Sequence, residues 1–359
     1  MRKILYILLL LTAVATRVDG QTFRRTASGV LLVDTGAAVR AMSPFGGGSQ
    51  EAAAGYAAAV NRYQREFPQT QVYCMVIPTA VAYYCPDSAS AYSRPEQPAI
   101  DLIYNELDSN VKPIDAYYAL ALHVAEPIYS RTDHHWSPLG AYYAAREFAR
   151  VAGVPFCDLS HYDTLVVHDY VGSMYRYSKS SAVRNAPEDF VYYVPRGVEY
   201  SAISTSYTPT RDRLGVARVG ATGPAPYFCS YPDGSSAAYC TFMGGDYNTT
   251  YITTSTHNNR RLLILKDSFG NPLPAYLMGS FEEIDVVDCR YFTLDMREFV
   301  EQHAITDILF ANNINHAFTG RTATSYERYI GQHYAEPQVR KTTSHHRRNA
   351  RHRSARRRR

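Results

Sequence analysis

Short apolar runs alternate with helical patterns towards the C-terminal end of the chain. The runs RLLILK, EIDVVDC and TDILFANN are rich enough in apolar and β-branched residues to predict three buried strands. Between them, PLPAYLMGSF and LDMREFVEQHA have the apolar spacing of helices. Because strands and helices alternate, we expect a mainly parallel sheet with right-handed crossovers. Active groups of such sheets gather beyond the carboxyl ends of the strands.

The first half of the chain has the same kind of alternation. YAAAVNRYQREF and PAIDLIYNELDSN are helical in pattern, TQVYCMVIPT between them predicts a strand, and IDAYYALALH is ambiguous. SPLGAYYAAREFARVAG predicts a helix with both ends defined, because Ser137 suits the N-cap, Pro138 the first turn and Gly153 the stop.

The character of the sequence changes between residues 161 and 257. Short Val, Tyr and Thr runs are broken there by PRG, TGPAP, PDGSS and GGD. This pattern is typical of strands joined by turns, and it predicts a β-rich or loop-rich insertion within one α/β domain that spans residues 21–339.

The N-terminal residues 1–20, MRKILYILLLLTAVATRVDG, have a basic start, an apolar run and then small and polar residues. This is the pattern of a cleaved secretory signal peptide, and it predicts a secreted, periplasmic or cell-envelope protein. A retained membrane anchor is the alternative, but the apolar run is shorter than the roughly 20 residues that a spanning helix needs. No later segment is apolar enough to cross a membrane.

The net charge of +4 conceals an uneven distribution. Residues 340–359 contain ten Lys or Arg residues and no acid, so the rest of the chain is mildly acidic. A block of like charges this dense cannot form a core, and we expect a disordered tail that contacts polyanions such as acidic polysaccharide or lipid head groups. A tail without a selected partner is the alternative.

Six cysteines fit an oxidising compartment, but their spacing contains no Cys-x-x-Cys metal pattern. Cys229 and Cys240 form one pair of neighbours in the sequence, and Cys74 and Cys85 form another. Each pair is compatible with a disulfide or with ordinary buried thiols.

Ser268 stands where the sheet rule places an active group. It comes just after the strand RLLILK and before the helix that Pro272 and Pro274 open, so its hydroxyl is expected near free backbone N–H groups. A serine at this place also serves as a helix cap. As a nucleophile it needs a base.

The segment RTDHHWSPLGAYYA offers that base. If TDHHW is extended, Asp133 and His135 share one face and His134 lies on the other. The carboxylate of Asp133 can then hold one ring nitrogen of His135 and leave the second free to take the serine proton. We expect Trp136 to pack beside the ring and His134 to support the loop.

Two other interpretations of this segment remain open. Adjacent histidines and an aspartate can bind zinc, but their spacing matches neither a His-x-x-x-His helix nor a Cys/His finger, so we expect neither a metal nor a cofactor. A purely structural cluster is the second alternative. The enzyme interpretation is favoured because the acid–imidazole pair and the serine both directly precede predicted helices of one domain.

At these residues the chain resembles the DHHW protein family. RTDHHWSPLGAYYA matches its signature, and AAAVNRYQREFPQTQVYCMVIPT, YYCP, LLILKDSFGN and VVDCRYF resemble its other blocks, so the likeness spans roughly Gly29 to Asn313. That family resembles the SGNH hydrolase-like superfamily, and in arrangement the alginate O-acetyltransferases. The resemblance therefore implies a three-layer α/β/α domain and a triad of Ser268, His135 and Asp133.

The sequence also departs from that superfamily. Lys266 stands where related enzymes have glycine before Asp-Ser, which is expected to narrow the site or change its charge. The usual oxyanion Gly and Asn blocks have no evident match. Besides the Ser268 amide, the candidates for oxyanion stabilisation or substrate positioning are Asn271, Arg290 and Tyr291.

Together these patterns predict an exported SGNH-like serine acylhydrolase or O-acetyltransferase that acts on cell-envelope or extracellular carbohydrate. The alternative is a non-catalytic envelope protein that binds polysaccharide through the same fold. A metal-dependent hydrolase is a third possibility, and it would carry stoichiometric zinc.

Overall fold

The computed structural model describes residues 22–36, 38–211 and 217–331. The predicted signal peptide (1–20) and basic tail (340–359) lie outside these residues. Within the described ranges, none of the helices combines the length and the apolar character that crossing a bilayer requires.

The strands of these ranges form three sheets. Their bounds are β1 Phe23–Arg25, β2 Leu31–Asp34, β3 Val39–Met42, β4 Gln71–Ile77, β5 Lys112–Pro113, β6 Tyr162–Tyr170, β7 Glu188–Pro195, β8 Tyr200–Arg211, β9 Ala217–Pro224, β10 Thr249–Thr254, β11 Arg261–Lys266, β12 Glu283–Asp288 and β13 Asp307–Asn313.

Along the sequence, most of the helices occur between strands of the central sheet. Their bounds are α1 Gln50–Glu66, α2 Val81–Tyr84, α3 Gln97–Tyr104, α4 Ala116–Ala121, α5 Pro138–Ala152, α6 Met174–Ser178, α7 Ser181–Arg184, α8 Leu273–Leu277, α9 Met296–Gln302, α10 Ile314–Ala317 and α11 Gly320–Gly331. A short 3₁₀ helix, Ser268–Gly270, follows β11.

The central sheet has eight strands in the order β5-β4-β13-β11-β12-β10-β8-β9. The first five are parallel, and the last three continue the sheet in antiparallel pairs. This mixed but mainly parallel sheet confirms the α/β fold class.

Two aromatic pairs show that helices cover both faces of the sheet. Tyr73 on β4 pairs with Leu309 on β13, so these two side chains point to the same face of the sheet. Phe310 follows Leu309 on β13 and therefore points to the opposite face. Tyr73 packs edge-on against Phe148 of α5, with ring centroids 5.1 Å apart, and Phe310 packs against Tyr63 of α1 at 5.0 Å. The result is three layers, with an apolar core on each side of the sheet.

The elements with clear local signals match their predictions. The strand RLLILK is β11, and EIDVVDC and TDILFANN contain β12 and β13. Helix α5 begins after Ser137, whose side chain accepts a hydrogen bond from the Gly140 N–H, and it ends at Gly153 with φ of 67°. The ambiguous segment IDAYYALALH contains helix α4.

The predicted insertion, residues 161–257, contains strands of two different sheets. Strands β6 and β7 pair only with each other, whereas β8, β9 and β10 extend the central sheet. The chain between β9 and β10 reaches the carboxyl end of β11, where the Tyr239 hydroxyl donates to the Ser268 carbonyl.

The N-terminal meander β1–β3 was not predicted. It is joined to the RTDHHW segment by a hydrogen bond from the Ala41 N–H to the Arg131 carbonyl, at 2.9 Å. Arg40, buried on the same strand, donates to the carbonyls of Tyr129 and Ser130 at 3.2 and 3.1 Å. The meander therefore fixes the segment that carries the candidate acid and base.

Candidate active site

The serine turn is held by the aspartate that precedes it. Asp267 is fully buried, and its Oδ1 accepts a hydrogen bond from the Phe269 N–H at 2.9 Å, while Oδ2 accepts from the Asn313 N–H at 2.8 Å. The first bond caps the 3₁₀ turn, and the second fastens it to the end of β13. Ser268 therefore sits beyond the carboxyl ends of β11 and β13, as expected for a parallel sheet.

Asp133 and His135 meet through a tight turn and not through an extended segment. The Oδ1 atom of Asp133 accepts from the backbone N–H of His135 at 3.0 Å and also lies 2.6 Å from His135 Nδ1. The extended geometry expected from the sequence was therefore wrong in detail, because the carboxylate folds back on the backbone. His134 consequently lies beside His135, with ring centroids 3.7 Å apart, and not on the opposite face.

The structure brings the three predicted residues into one hydrogen-bonded chain. His135 Nε2 lies 2.8 Å from Ser268 Oγ, and its Nδ1 lies 2.6 Å from Asp133 Oδ1. Both Asp133 and His135 are buried. Burial opposes ionisation of Asp133, but the neighbouring His135 and the N–H donors hold the pKa of Asp133 well below its usual range. The carboxylate is therefore charged at neutral pH, and it favours the tautomer in which His135 carries its proton on Nδ1.

Tyr239, and not Trp136, packs on the His135 ring. The two rings stack in parallel with centroids 3.7 Å apart and an interplanar angle of 4°. The Tyr239 hydroxyl donates to the Ser268 carbonyl at 2.9 Å, and burial raises the pKa of this phenol well above its usual value. Trp136 instead donates from Nε1 to the Phe269 carbonyl at 2.8 Å. Both aromatic residues thus join the imidazole side of the site to the serine turn.

Gly172 allows the loop before α6 to approach Asp133. A Cβ atom at this position would lie 2.4 Å from Asp133 Cβ and 2.5 Å from Oδ2. The close approach lets the next residue, Ser173, donate its N–H to Asp133 Oδ2 at 2.7 Å. Only glycine fits here, because the neighbouring atoms belong to a buried residue.

A cavity of about 310 Å³ opens beside this chain. Ser268, Asp133 and His134 line it together with residues of the meander, the end of β13 and α10. Its wall includes Tyr177, a residue that is 48% exposed. The site therefore combines a serine with polar and aromatic groups.

The structure separates the three candidates for oxyanion stabilisation or substrate positioning. Arg290 lines the cavity with Ser268. Asn271 is buried and donates to Asp246 at 3.1 Å, and Tyr291, 46% exposed, lies outside the cavity lining. Of the three, Arg290 is the one placed to reach a group bound at the serine.

Asn313, which the sequence did not single out, also lines the cavity. Its Oδ1 caps α10 by accepting from the N–H groups of Asn315 and His316 at 3.0 and 3.3 Å. The oxygen is therefore used in the protein, which leaves the amide NH₂ as the group available for a ligand. The sequence signal that could have identified Asn313 is its position as a polar residue at the end of a predicted buried strand.

Lys266 neither narrows the cavity nor adds charge to it. It is 1% exposed, with Nζ 2.7 Å from Asp288 Oδ2 and 3.3 Å from Asp246 Oδ1. Arg290 binds the same two carboxylates, at 2.6 and 2.7 Å. Although burial opposes the charge on Lys266, the two carboxylates hold its pKa above the usual value. Two cations and two anions balance, and together they fix the Arg290 side chain.

Asp133, His134 and His135 place ligand atoms within 4.8 Å of one another. Both ring nitrogens of His135 already have partners, and His134 Nδ1 lies 2.5 Å from Ser173 Oγ. A metal bound by all three residues would therefore break at least one hydrogen bond of His135. All six cysteines are free thiols, so of the two alternatives left open for each neighbouring pair the structure has unpaired thiols.

The fold is a three-layer α/β domain, and its site joins a serine, a histidine and an aspartate near the carboxyl ends of parallel strands. The family model described as DHHW protein matches residues 45–287, and the chain belongs to this family. It is similar to the crystal structure of a DHHW family protein from Eubacterium siraeum DSM 15702, with 36% identity, a TM-score of 0.76, and coverage of 88% of this chain and 99% of that one.

The fold is also similar to that of Bacillus cereus PatB1. A structure of PatB1 with a sulfonyl adduct is 16% identical, covers 84% of this chain and 97% of that one, and has a TM-score of 0.61. A second PatB1 structure is 19% identical, covers 82% of this chain and 99% of that one, and has a TM-score of 0.62. None of the curated proteins compared with this chain matches it.

Proposed function

We propose that this protein is an exported serine acylhydrolase or O-acetyltransferase that acts on cell-envelope or extracellular carbohydrate. The observation that carries the proposal is the hydrogen-bonded chain from Asp133 through His135 to Ser268, which ends at a cavity. A serine hydroxyl becomes a useful nucleophile when an oriented imidazole takes its proton.

The first half of the reaction transfers an acyl group to the enzyme. Ser268 Oγ attacks the acyl carbonyl while His135 Nε2 takes the hydroxyl proton, and the imidazolium is stabilised by the Asp133 carboxylate. His135 then gives this proton to the departing alcohol. The products are an ester on Ser268 and a free hydroxyl on the donor.

The second half repeats these steps with a new oxygen. His135 takes a proton from water or from a sugar hydroxyl, and that oxygen attacks the Ser268 ester. Collapse of the intermediate returns the proton to Ser268 Oγ. Water gives hydrolysis, whereas a sugar hydroxyl gives O-acyl transfer.

Two donors are suited to the negative oxygen of each tetrahedral intermediate. The backbone N–H of Ser268 is one, and the amide NH₂ of Asn313 is the other, because its oxygen is engaged with α10. Arg290, held by Asp288 and Asp246, supplies a positioned cation at the same cavity.

A carbohydrate fits the character of the cavity better than an apolar acyl chain does. Asn315 and His316 offer polar groups, and the Tyr177 ring is exposed for contact with a sugar face. The basic segment 340–359 would add contacts to acidic glycans or lipid head groups.

Release of p-nitrophenol from p-nitrophenyl acetate tests the proposal. We expect wild-type protein to release it and Ser268→Ala to lose activity to the background. The matched control is Ser204→Ala, which removes a buried hydroxyl bonded to Thr250 within the central sheet, at 3.1 Å. Equal rates for wild type and Ser268→Ala would exclude the serine mechanism. Glycan binding without any activity in wild type would favour the non-catalytic alternative.

A further inference from the structure

The first histidine of the DHHW segment has no place in the reaction described above, yet it lines the same cavity. The side chain of His134 is 31% exposed and lies beside Tyr177, with ring centroids 5.6 Å apart. Its ring also overlaps that of His135 at 3.7 Å. An acyl group on Ser268 would therefore face a cavity that His134 also lines.

Ser173 fixes the orientation of this second imidazole. Ser173 Oγ lies 2.5 Å from His134 Nδ1 and 3.3 Å from the His134 backbone N–H. The backbone N–H can only donate, so the hydroxyl oxygen accepts from it. The backbone N–H of Ser173 in turn donates to Asp133 Oδ2 at 2.7 Å. Ser173 is therefore held by Asp133 through its backbone and by His134 through its hydroxyl.

The hydrogen count around Ser173 favours one tautomer of His134. If Nδ1 carried the proton, Ser173 Oγ would accept two N–H bonds and its own hydrogen would have no acceptor among the described residues. If Nδ1 is the acceptor, the hydrogen of the buried Ser173 hydroxyl is paired, and the unpaired hydrogen belongs instead to the partly exposed His134 ring, where it costs less free energy. Asp133 Oδ1 lies 3.7 Å from Nδ1, which is beyond hydrogen-bond range. The remaining proton is then on Nε2, which has no partner in the described part of the chain.

The ring stays neutral at physiological pH. Burial, together with the neighbouring His135, lowers the pKa of His134 to about 4. A neutral ring with an Nε2 proton is a hydrogen-bond donor without a charge. Such a donor suits a hydroxyl, ether or carbonyl oxygen, and sugars are rich in these acceptors.

We propose that His134 is a substrate-binding residue whose Nε2–H binds an oxygen of the carbohydrate that accepts the acyl group, and that it thereby favours transfer to sugar over hydrolysis. This inference rests on the proposed function. Water needs no such contact to reach the Ser268 ester, whereas a sugar hydroxyl must be held in line with His135.

The partition of the acyl-enzyme measures this role. The acyl donor is p-nitrophenyl acetate, and the acceptors are methyl glucoside, methyl mannoside and methyl N-acetylglucosaminide. The ratio of acetylated glycoside to free acetate is measured for wild type, His134→Phe and His134→Gln. Phenylalanine keeps a ring against His135 but has no donor, so we expect the transfer-to-hydrolysis ratio to fall about tenfold. Glutamine places an amide N–H near the position of Nε2, and we expect it to restore the ratio to within about threefold of wild type.

Three results would overturn the inference. One is an unchanged ratio in His134→Phe, and another is a wild-type enzyme that is acylated but never transfers to a glycoside. The third is independent of activity: ¹⁵N NMR that places the His134 proton on Nδ1. By contrast, p-nitrophenol release by wild type that does not exceed that of Ser268→Ala would refute the proposed function itself.

Discussion

Replacement of Asp133 by asparagine perturbs the candidate triad with almost no change of shape. Three N–H groups point at this carboxylate: the His135 backbone and Nδ1 groups at 3.0 and 2.6 Å, and the Ser173 backbone group at 2.7 Å. An amide has one oxygen, so in either orientation its NH₂ faces at least one of these donors. We expect the free energy of unfolding to fall by about 1–3 kcal/mol.

The same substitution removes the charge that stabilises the His135 imidazolium. If the amide NH₂ turns towards Nδ1, the ring also takes the wrong tautomer, since Nε2 then carries the proton and cannot accept one from Ser268. We expect kcat/KM to fall by about 10²-fold from loss of the charge that stabilises the imidazolium, and by up to about 10⁴-fold if the wrong tautomer also removes the base. The larger loss corresponds to about 5 kcal/mol of activation free energy.

The assay is p-nitrophenyl acetate hydrolysis by Asp133→Asn, corrected for the folded fraction by thermal unfolding. Asp307→Asn is the matched control, because Asp307 is equally buried but binds Arg260 at the amino end of β13, away from the cavity. It should lose stability and keep its activity per folded molecule. A loss of less than tenfold in Asp133→Asn would show that the Asp133 carboxylate does not support His135 as a base.

Three further outcomes follow from the contacts around the site. Tyr239→Phe keeps the ring stack on His135 and should lower kcat about threefold, whereas Tyr239→Leu removes the stack and should lower kcat at least about tenfold. The assay measures kcat and KM separately, and equal effects of the two substitutions would argue against a role for the stack. Gly172→Ala should lower both the melting temperature and the activity, because the new Cβ would lie 2.4 Å from Asp133 Cβ. The control is Gly55→Ala, which should lower neither, because a Cβ at Gly55 would meet open space. Burial opposes ionisation of Asp246, but Lys266 and Arg290 lower its pKa from 3.8 to about 2, so its stabilising contribution is present above pH 3.8 and is lost as the pH falls towards 2. Acid unfolding followed by circular dichroism should show this loss, and Asp246→Asn should lack it.

Local signals account for the parts of the fold that were predicted. Helix α5 has a capping serine, a proline and a terminal glycine within its own segment, and β11 is a continuous apolar run. Ser268 and His135 were identified because each directly precedes a helix pattern. Such signals need no knowledge of distant residues.

The remaining site residues depend on contacts between distant segments. Tyr239 lies in a turn-rich region without a helical or strand pattern, and it reaches His135 only because the chain returns across the end of β11. Ser173 and Gly172 likewise meet Asp133 across about 40 residues. The extended geometry assumed for TDHHW failed because the Asp133 carboxylate bonds to the backbone two residues later, a choice that alternation rules do not include.

The proposed reaction depends on an acyl-enzyme that forms on Ser268, and this intermediate can be detected. Wild-type protein is mixed with p-nitrophenyl acetate, quenched in acid within the burst phase, digested and mapped by mass spectrometry. A serine mechanism requires an acetyl group on the peptide that contains Ser268, and no such group in Ser268→Ala treated in the same way. An acetylated wild-type protein that carries the group elsewhere, or no adduct at all during turnover, would contradict it.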